Sequence, residues 1–115
     1  RLGEALVRQG DAGAAVRALS HAARLYLERG ERDDAIGVLE RMAYLEPDPV
    51  VARRAAELYL SRGGRGDAVR AMARLVTCLE QAPDDDSVLP LVVRALTAAG
   101  HVEKAVALER AMWGE

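Results

Sequence analysis

The stretch GERDDAI, from Gly30 to Ile36, admits two interpretations. The adjacent carboxylates Asp33 and Asp34 could form a chemical site, or the stretch could mark the junction between two helices. A junction should recur along the chain, and this one does. A glycine, four further residues, an alanine and a β-branched residue recur in GDAGAAV (10–16), GGRGDAV (63–69) and GHVEKAV (100–106). We therefore predict a repeated structural unit.

The segments between these junctions each carry one apolar stripe, which is typical of amphipathic helices. One stripe contains Leu19, Ala22, Ala23, Tyr26 and Leu27, and another contains Ala52, Ala55, Ala56, Tyr59 and Leu60. The junction glycine suits a left-handed helix end, and the junction alanine permits close approach of the next helix. Asp48 and Pro49 are placed to cap and begin a helix, and the acids at 84–86 begin another. We predict helices at about 2–9, 12–29, 33–45, 49–62, 66–81, 87–99 and 102–113, and no strand.

Composition limits the class of protein. The chain has 115 residues, enough for one domain, and because it begins at Arg1 we expect it to be part of a longer protein. Aromatic residues make up 3 % and Phe is absent, so Ala and Leu must build the core. The net charge of -2, with interleaved signs, gives no basic patch for nucleic acid. No apolar run is long enough for membrane insertion, and the cytoplasm is the favoured location.

The repeated unit resembles the tetratricopeptide repeat, a helix pair of about 34 residues. The second unit matches the motif at Ala23, Tyr26, Gly30, Ala35 and Pro47. The third unit matches at Ala56, Tyr59, Gly63 and Ala68. Its Pro83 comes three residues late, so we expect a longer second helix there. The first, partial unit keeps Leu2, Gly3, Gly10 and Ala15, and the fourth keeps Gly100 and Ala105 but departs at Val93, Leu96 and Glu109.

The resemblance implies an all-α fold, a right-handed α-α superhelix of about seven antiparallel helices. Its units lie at about 1–15 (partial), 16–48, 49–83 and 84–115. The junction alanines Ala15, Ala35, Ala68 and Ala105 are 20, 33 and 37 residues apart. Because the first spacing is short, one long helix at about 12–29 must close the first unit and open the second. We expect altered superhelix geometry there.

The resemblance also implies a concave groove lined by the first helix of each pair. Carried onto this sequence, the groove positions are Arg17, Ser20, Arg24 and Leu27, then Val50, Arg53, Glu57 and Leu60, then Ser87, Pro90, Arg94 and Thr97. Guanidinium groups bind carboxylates through paired hydrogen bonds. The evenly repeated Arg24, Arg53 and Arg94 therefore favour an acidic, partly apolar peptide as the ligand. The alternative is that these arginines are solvated or paired with Glu28 and Glu57.

Outside the groove, no residue set predicts catalysis, a cofactor or a metal site. Asp33 and Asp34 point about 100° apart on a helix, so they cannot bind one ion together. They are instead well placed to interact with the positive end of the helix dipole. His21 and His101 lie on different elements and lack a metal-binding motif. Cys78 lies on an apolar stripe, so we expect a buried, unreactive thiol.

Trp113, the sole tryptophan, leaves two interpretations open. It packs on the preceding helix pair, or it stays exposed for a following helix or a partner to cover.

The sequence therefore predicts a non-catalytic protein-interaction adaptor or scaffold. One rival is a self-association module whose exposed terminal helices stack. Another is a regulatory or accessory domain of a larger enzyme or of a secretion or motility machine. The carboxylate clamp of some family members needs Asn and Lys in the groove, whereas this chain lacks Asn and has only Lys104. The Arg- and Ala-rich usage resembles high-GC bacteria, where similar proteins serve as scaffolds for pili, motility, polarity or secretion.

Overall fold

The computed structural model of this chain describes residues 12–114, which form six α-helices, one 3₁₀ turn and no strand. The helices are α1 (Ala12–Glu28), α2 (Arg32–Leu45), α3 (Pro49–Arg62), α4 (Asp67–Gln81), α5 (Leu89–Ala98) and α6 (Val102–Met112). The 3₁₀ turn spans Asp86–Val88 and leads directly into α5. The all-α prediction is confirmed for these residues. The helix predicted at about 2–9 and the first junction glycine, Gly10, lie outside them.

Glycine turns connect the two helices of each pair. Gly30, Gly63 and Gly100 have φ angles of +73°, +63° and +89°, a left-handed region that glycine adopts without steric cost. At the first turn, the Glu31 amide donates to the Tyr26 carbonyl at 2.8 Å, which satisfies the end of α1. Asp33 and Asp34 then lie in the first turn of α2. GERDDAI is therefore a helix junction, as the repeat predicted.

The start of α3 follows from two adjacent residues. The Asp48 carboxylate accepts hydrogen bonds from the amides of Val50 at 2.7 Å and Val51 at 3.3 Å. Pro49 occupies the first turn, where its missing N–H leaves no hydrogen bond unmade. The predicted bounds of this helix are confirmed.

The helix predicted at 87–99 begins differently. Its first residues form the tighter 3₁₀ turn, because the Asp85 carboxylate accepts from the Ser87 amide at 3.0 Å. The Ser87 hydroxyl also donates to this carboxylate, and the hydrogen bonds from the Ser87 hydroxyl and amide lower the pKa of Asp85. The regular helix starts only at Leu89, with Pro90 in its first turn.

The six helices pack as three consecutive pairs. The most extensive contacts join α3 with α4 and α1 with α2, and α5 packs less extensively on α6. The pairs contact one another through α2 with α3 and α4 with α5, and α3 also reaches α5. The described residues form an elongated body with extents of 51 × 28 × 20 Å. None of the described helices is both long and apolar enough to cross a membrane.

Alanine dominates the buried surfaces between these helices. α3 is the clearest case, because Ala52, Ala55, Ala56 and Tyr59 are all buried on one stripe. Ile36, Leu39, Met42 and Leu75 supply the larger buried side chains of the neighbouring helices. The prediction of a core built from Ala and Leu is confirmed, although Leu60 of the predicted α3 stripe is only half-buried.

The third junction departs from the repeated pattern. Ala15, Ala35 and Ala105 are buried at their junctions, but Ala68 is only half-buried. Its neighbour Asp67 is 1 % exposed and is the one buried charged side chain of the described residues. Gly66 has a φ of +80° just before α4 begins, and this extra left-handed residue starts the helix at Asp67. The junction alanine of this unit is therefore less enclosed than its counterparts, although α3 and α4 pack closely.

A polar junction satisfies the buried carboxylate of Asp67. Arg62 donates two hydrogen bonds to it, from Nε and Nη2, both at 2.8 Å. The amide of Gly64 at 2.8 Å and Nη1 of Arg70 at 2.9 Å complete the set. Arg62 also donates to Asp33 at 3.1 Å, so the junction ties the start of α2 to the end of α3 and the start of α4. The hydrogen bonds from Arg62 hold the pKa of Asp67 far below its usual range.

The sole tryptophan does not pack on the preceding helices. Trp113 follows α6 and is 77 % exposed, so the interpretation that it packs on the preceding pair is wrong.

Replacing Asp67 with Asn is expected to lower the free energy of unfolding at pH 7 by about 3 kcal/mol, because Arg62 and Arg70 lose the carboxylate they share. The wild-type free energy of unfolding should also fall as pH drops below about 4, because the pKa of Asp67 is lower in the folded state than in the unfolded one. Between pH 7 and pH 3, the free energy of unfolding of Asp67→Asn should therefore fall less than that of the wild type. Urea unfolding at pH 7 and pH 3 measures both effects.

Asp34→Asn is the matched control, because Asp34 holds the equivalent position in the preceding pair and is exposed. It should change the free energy of unfolding little at either pH. Equal effects of the two substitutions would contradict the junction as a source of stability.

Candidate functional site

An open cavity of about 470 Å³ lies between α1 and α3, above α2. We call it the α1–α3 cavity. Its lining residues are Ser20, Ala23, Arg24, Leu27, Glu28, Leu39, Met42, Val50, Val51 and Arg54.

The floor and walls of the cavity are apolar. Ala23, Leu39 and Met42 are each 5 % exposed and form its base. Leu27 is half-buried on the α1 side, and Val50 is 72 % exposed on the α3 side. The small side chain of Ala23 leaves the space open between these larger ones. Apolar surface left in contact with water in this way favours an apolar occupant.

The rim of the cavity is polar and mostly positive. Arg24 from α1 and Arg54 from α3 are both exposed there, and Glu28 is the single acid. Nη2 of Arg24 lies 3.3 Å from Nδ1 of His21, which accepts the hydrogen bond when the ring proton is on Nε2. Neither guanidinium forms an ion pair with any residue of the part of the chain that the structure describes.

The structure brings together only part of the predicted groove. Ser20, Arg24, Leu27 and Val50 all line the α1–α3 cavity. Arg17, one turn earlier on α1, is exposed but does not line it. The remaining predicted positions lie elsewhere along α3 and around α5: Arg53, Glu57, Leu60, Ser87, Pro90, Arg94 and Thr97.

Three of these remaining positions form hydrogen bonds within the protein. Nη1 of Arg53 donates to Oγ of Ser87 at 2.7 Å, which links α3 to the 3₁₀ turn before α5. Oγ1 of Thr97 donates to the Val93 carbonyl within α5 at 2.9 Å. Arg94 and Glu57 are exposed, and Leu60 packs against the core. The alternative was that Arg24, Arg53 or Arg94 pairs with Glu28 or Glu57. Among residues 12–114, no ion pair joins any of these arginines to either glutamate.

Arg54 and Glu28 are the rim residues that the sequence prediction missed. Val50, Val51 and Arg54 are spaced at one, three and four residues, so they share the side of α3 that faces α1. That spacing could have indicated Arg54 in place of Arg53. The repeat positions alone indicated Arg53, because they carry no information on how α1 and α3 are offset.

Cys78 and the two histidines lie on or beside three different helices of the described residues. Cys78 is buried, its Sγ donates to the Pro49 carbonyl at 3.3 Å, and burial raises the pKa of its thiol. His21 and His101 lie on α1 and just before α6. Within residues 12–114, no group of three His, Cys, Asp or Glu side chains is arranged to hold a metal ion.

In comparisons with known proteins, no family model matches this chain and no curated protein gives a significant match.

Leu27 and Leu39 contact the same cavity but should differ in their contribution to stability. Leu39→Ala is expected to lower the free energy of unfolding by about 3 kcal/mol, because Leu39 is a buried core residue. Leu27→Ala should cost only about 1 kcal/mol, because that side chain already contacts water. Urea unfolding of both variants measures the difference. Equal losses would mean that Leu27 belongs to the core and is not free to bind a partner.

Proposed function

We propose that this chain is a non-catalytic adaptor that binds a segment of a partner protein in the α1–α3 cavity. The observation that carries the proposal is an open apolar cavity whose rim presents two guanidinium groups, those of Arg24 and Arg54, that form no ion pair with residues 12–114. The proposed ligand is an acidic, partly apolar peptide.

The size of the cavity supports a peptide side chain as its occupant. A volume of about 470 Å³ lies within the usual range of small ligand sites, and the opening leaves room for a chain to enter and leave. A leucine- or methionine-sized side chain would cover the exposed surface of Leu27 and Val50. That burial would supply the apolar part of the binding free energy.

The rim supports an acidic residue beside the apolar one. Arg24 and Arg54 stand on opposite helices, so a carboxylate between them can accept hydrogen bonds from either side. Glu28 on the same rim repels a second carboxylate placed over the end of α1. We therefore propose a ligand with one acidic group per apolar side chain, rather than a uniformly acidic tail.

We also propose that the helix pairs belong to a right-handed superhelix of the tetratricopeptide type. The left-handed turns at Gly30, Gly63 and Gly100 and the sequential packing of the pairs support this proposal. In such a superhelix, α1, α3 and α5 form the inner layer, and the predicted groove would extend past Glu57, Arg94 and Thr97.

Selection of random peptides against the chain tests the ligand class. We expect the selected peptides to share a large apolar residue with Asp or Glu within two or three positions. Arg24→Glu/Arg54→Glu should weaken binding of the selected peptides about 30-fold or more, because two charge-assisted hydrogen bonds become repulsions. Fluorescence anisotropy of a labelled peptide measures the affinity.

Two further variants sharpen this test. Arg65→Glu/Lys104→Glu makes the same change in net charge at exposed positions away from the cavity, and it should leave the affinity nearly unchanged. The affinity of Arg17→Glu/Arg94→Glu for the same peptides tests whether the ligand extends along the whole predicted groove. Undiminished binding to Arg24→Glu/Arg54→Glu would rule out the cavity as the peptide site.

A further inference from the structure

The last helix exposes an apolar stripe. Val102, Val106 and Trp113 are 55 %, 39 % and 77 % exposed. Trp113 directly follows α6, and its amide still donates to the Glu109 carbonyl at 3.2 Å, as in a helix. At about 100° per residue, the three positions therefore fall within about 40° of one another. Ala105 and Leu108 lie on another side of the helix, where they pack against the rest of the protein. The stripe is therefore a separate apolar surface that the described residues leave uncovered.

Two opposite charges lie along one edge of this stripe. Glu103 in the first turn of α6 and Arg110 in its last turn are both exposed. They are seven residues apart, so they lie about 20° apart around the helix and about 10 Å apart along it. Neither forms an ion pair within the part of the chain that the structure describes.

This charge order is self-complementary under a two-fold axis. When two copies of α6 pair antiparallel about a point between Val106 and Ala107, Glu103 of each copy faces Arg110 of the other. Both ion pairs form at once, one at each end. A parallel pair about a two-fold axis along the helices would instead place the two Glu103–Arg110 edges on opposite sides of the contact, so neither ion pair could form.

The apolar stripe matches the same arrangement. The two Val106 side chains meet at the two-fold axis. Trp113 of each copy then lies within about 3 Å, along the helix axis, of the level of Val102 of the other. Each end of the pair therefore joins an indole to a valine. Glu109 lies on the other edge of the stripe, where the two copies bring like charges to the same side.

We propose that α6 is a self-association surface, on which a second copy of this chain pairs antiparallel through Val102, Val106 and Trp113. The occupant is a second copy because one register satisfies both the apolar stripe and the two ion pairs. An 11-residue helix presents only about 16 Å of contact, so the interface is small and the dimer is weak and reversible. This surface lies on a different helix from the α1–α3 cavity, so either can fail without the other.

Sedimentation equilibrium over about 10 μM to 1 mM tests the association. The mean mass should rise with concentration from the 12.4 kDa monomer toward twice that value. Trp113 is the sole tryptophan, so its emission should move to shorter wavelengths over the same concentration range as the indole leaves water. A monomer at every concentration would overturn the proposal.

A charge exchange tests the antiparallel register. Glu103→Arg and Arg110→Glu should each weaken self-association about tenfold or more, because each puts like charges at both ends of the pair. An equimolar mixture of these two variants should restore the dimer, because each Arg then faces a Glu. Trp113→Ala should weaken the dimer to a similar extent, and Glu109→Gln should strengthen it.

Lys104→Glu is the matched control, because Lys104 is exposed on α6 but lies away from the stripe. It should leave the dimer unchanged, and circular dichroism should show the same helix content for all variants. A dimer that survives Trp113→Ala would place the contact elsewhere and overturn the proposal. Failure of the mixed variants to associate would also overturn it, because the antiparallel register requires that rescue.

Discussion

Close contact between helices through alanine is the constraint on which the rest of this structure depends. Half of the buried apolar side chains in the described residues are alanines. Each alanine buries little area, so many such contacts are needed, and every helix must lie close to the next one in the chain. The α1–α3 cavity forms above the buried side chains of Ala23, Leu39 and Met42, between the less buried Leu27 and Val50.

The polar junction around Asp67 compensates for a weakness of such a core. A thin alanine layer specifies helix spacing well but helix offset poorly, because one methyl group can replace another. The carboxylate of Asp67 accepts hydrogen bonds of fixed direction from Arg62, Arg70 and the Gly64 amide. These bonds define where α4 begins relative to α3, and the bond from Arg62 to Asp33 extends the same control to α2. The position of α4 relative to α3 therefore depends on a few charged groups, whereas the apolar contacts supply most of the stability of the core.

Sequence alone predicted the features that depend on neighbouring residues. The left-handed turns at Gly30, Gly63 and Gly100 and the cap at Asp48 all followed from local backbone chemistry. Features that depend on the offset between helices were missed. Gly66 shifts the start of α4 by one residue and buries Asp67, which no repeat position indicates. The sequence prediction named Arg53 where Arg54 lines the cavity, and this error has the same cause. Adjacent residues on α3 face different neighbours, so a small difference in helix offset decides which of them reaches the cavity.

The contact between Cys78 and the Pro49 carbonyl has a consequence for the motions of the protein. The thiol lies on α4, and the carbonyl belongs to the first residue of α3, so the pair spans the central helix pair. A reagent can reach Cys78 only when these two helices separate. Because the chain has a single cysteine, the rate at which Cys78 is alkylated measures how often the central helix pair opens. Cys78 is neither a lining residue of the cavity nor part of α6, so its alkylation reports opening of the central pair without a substitution in either surface.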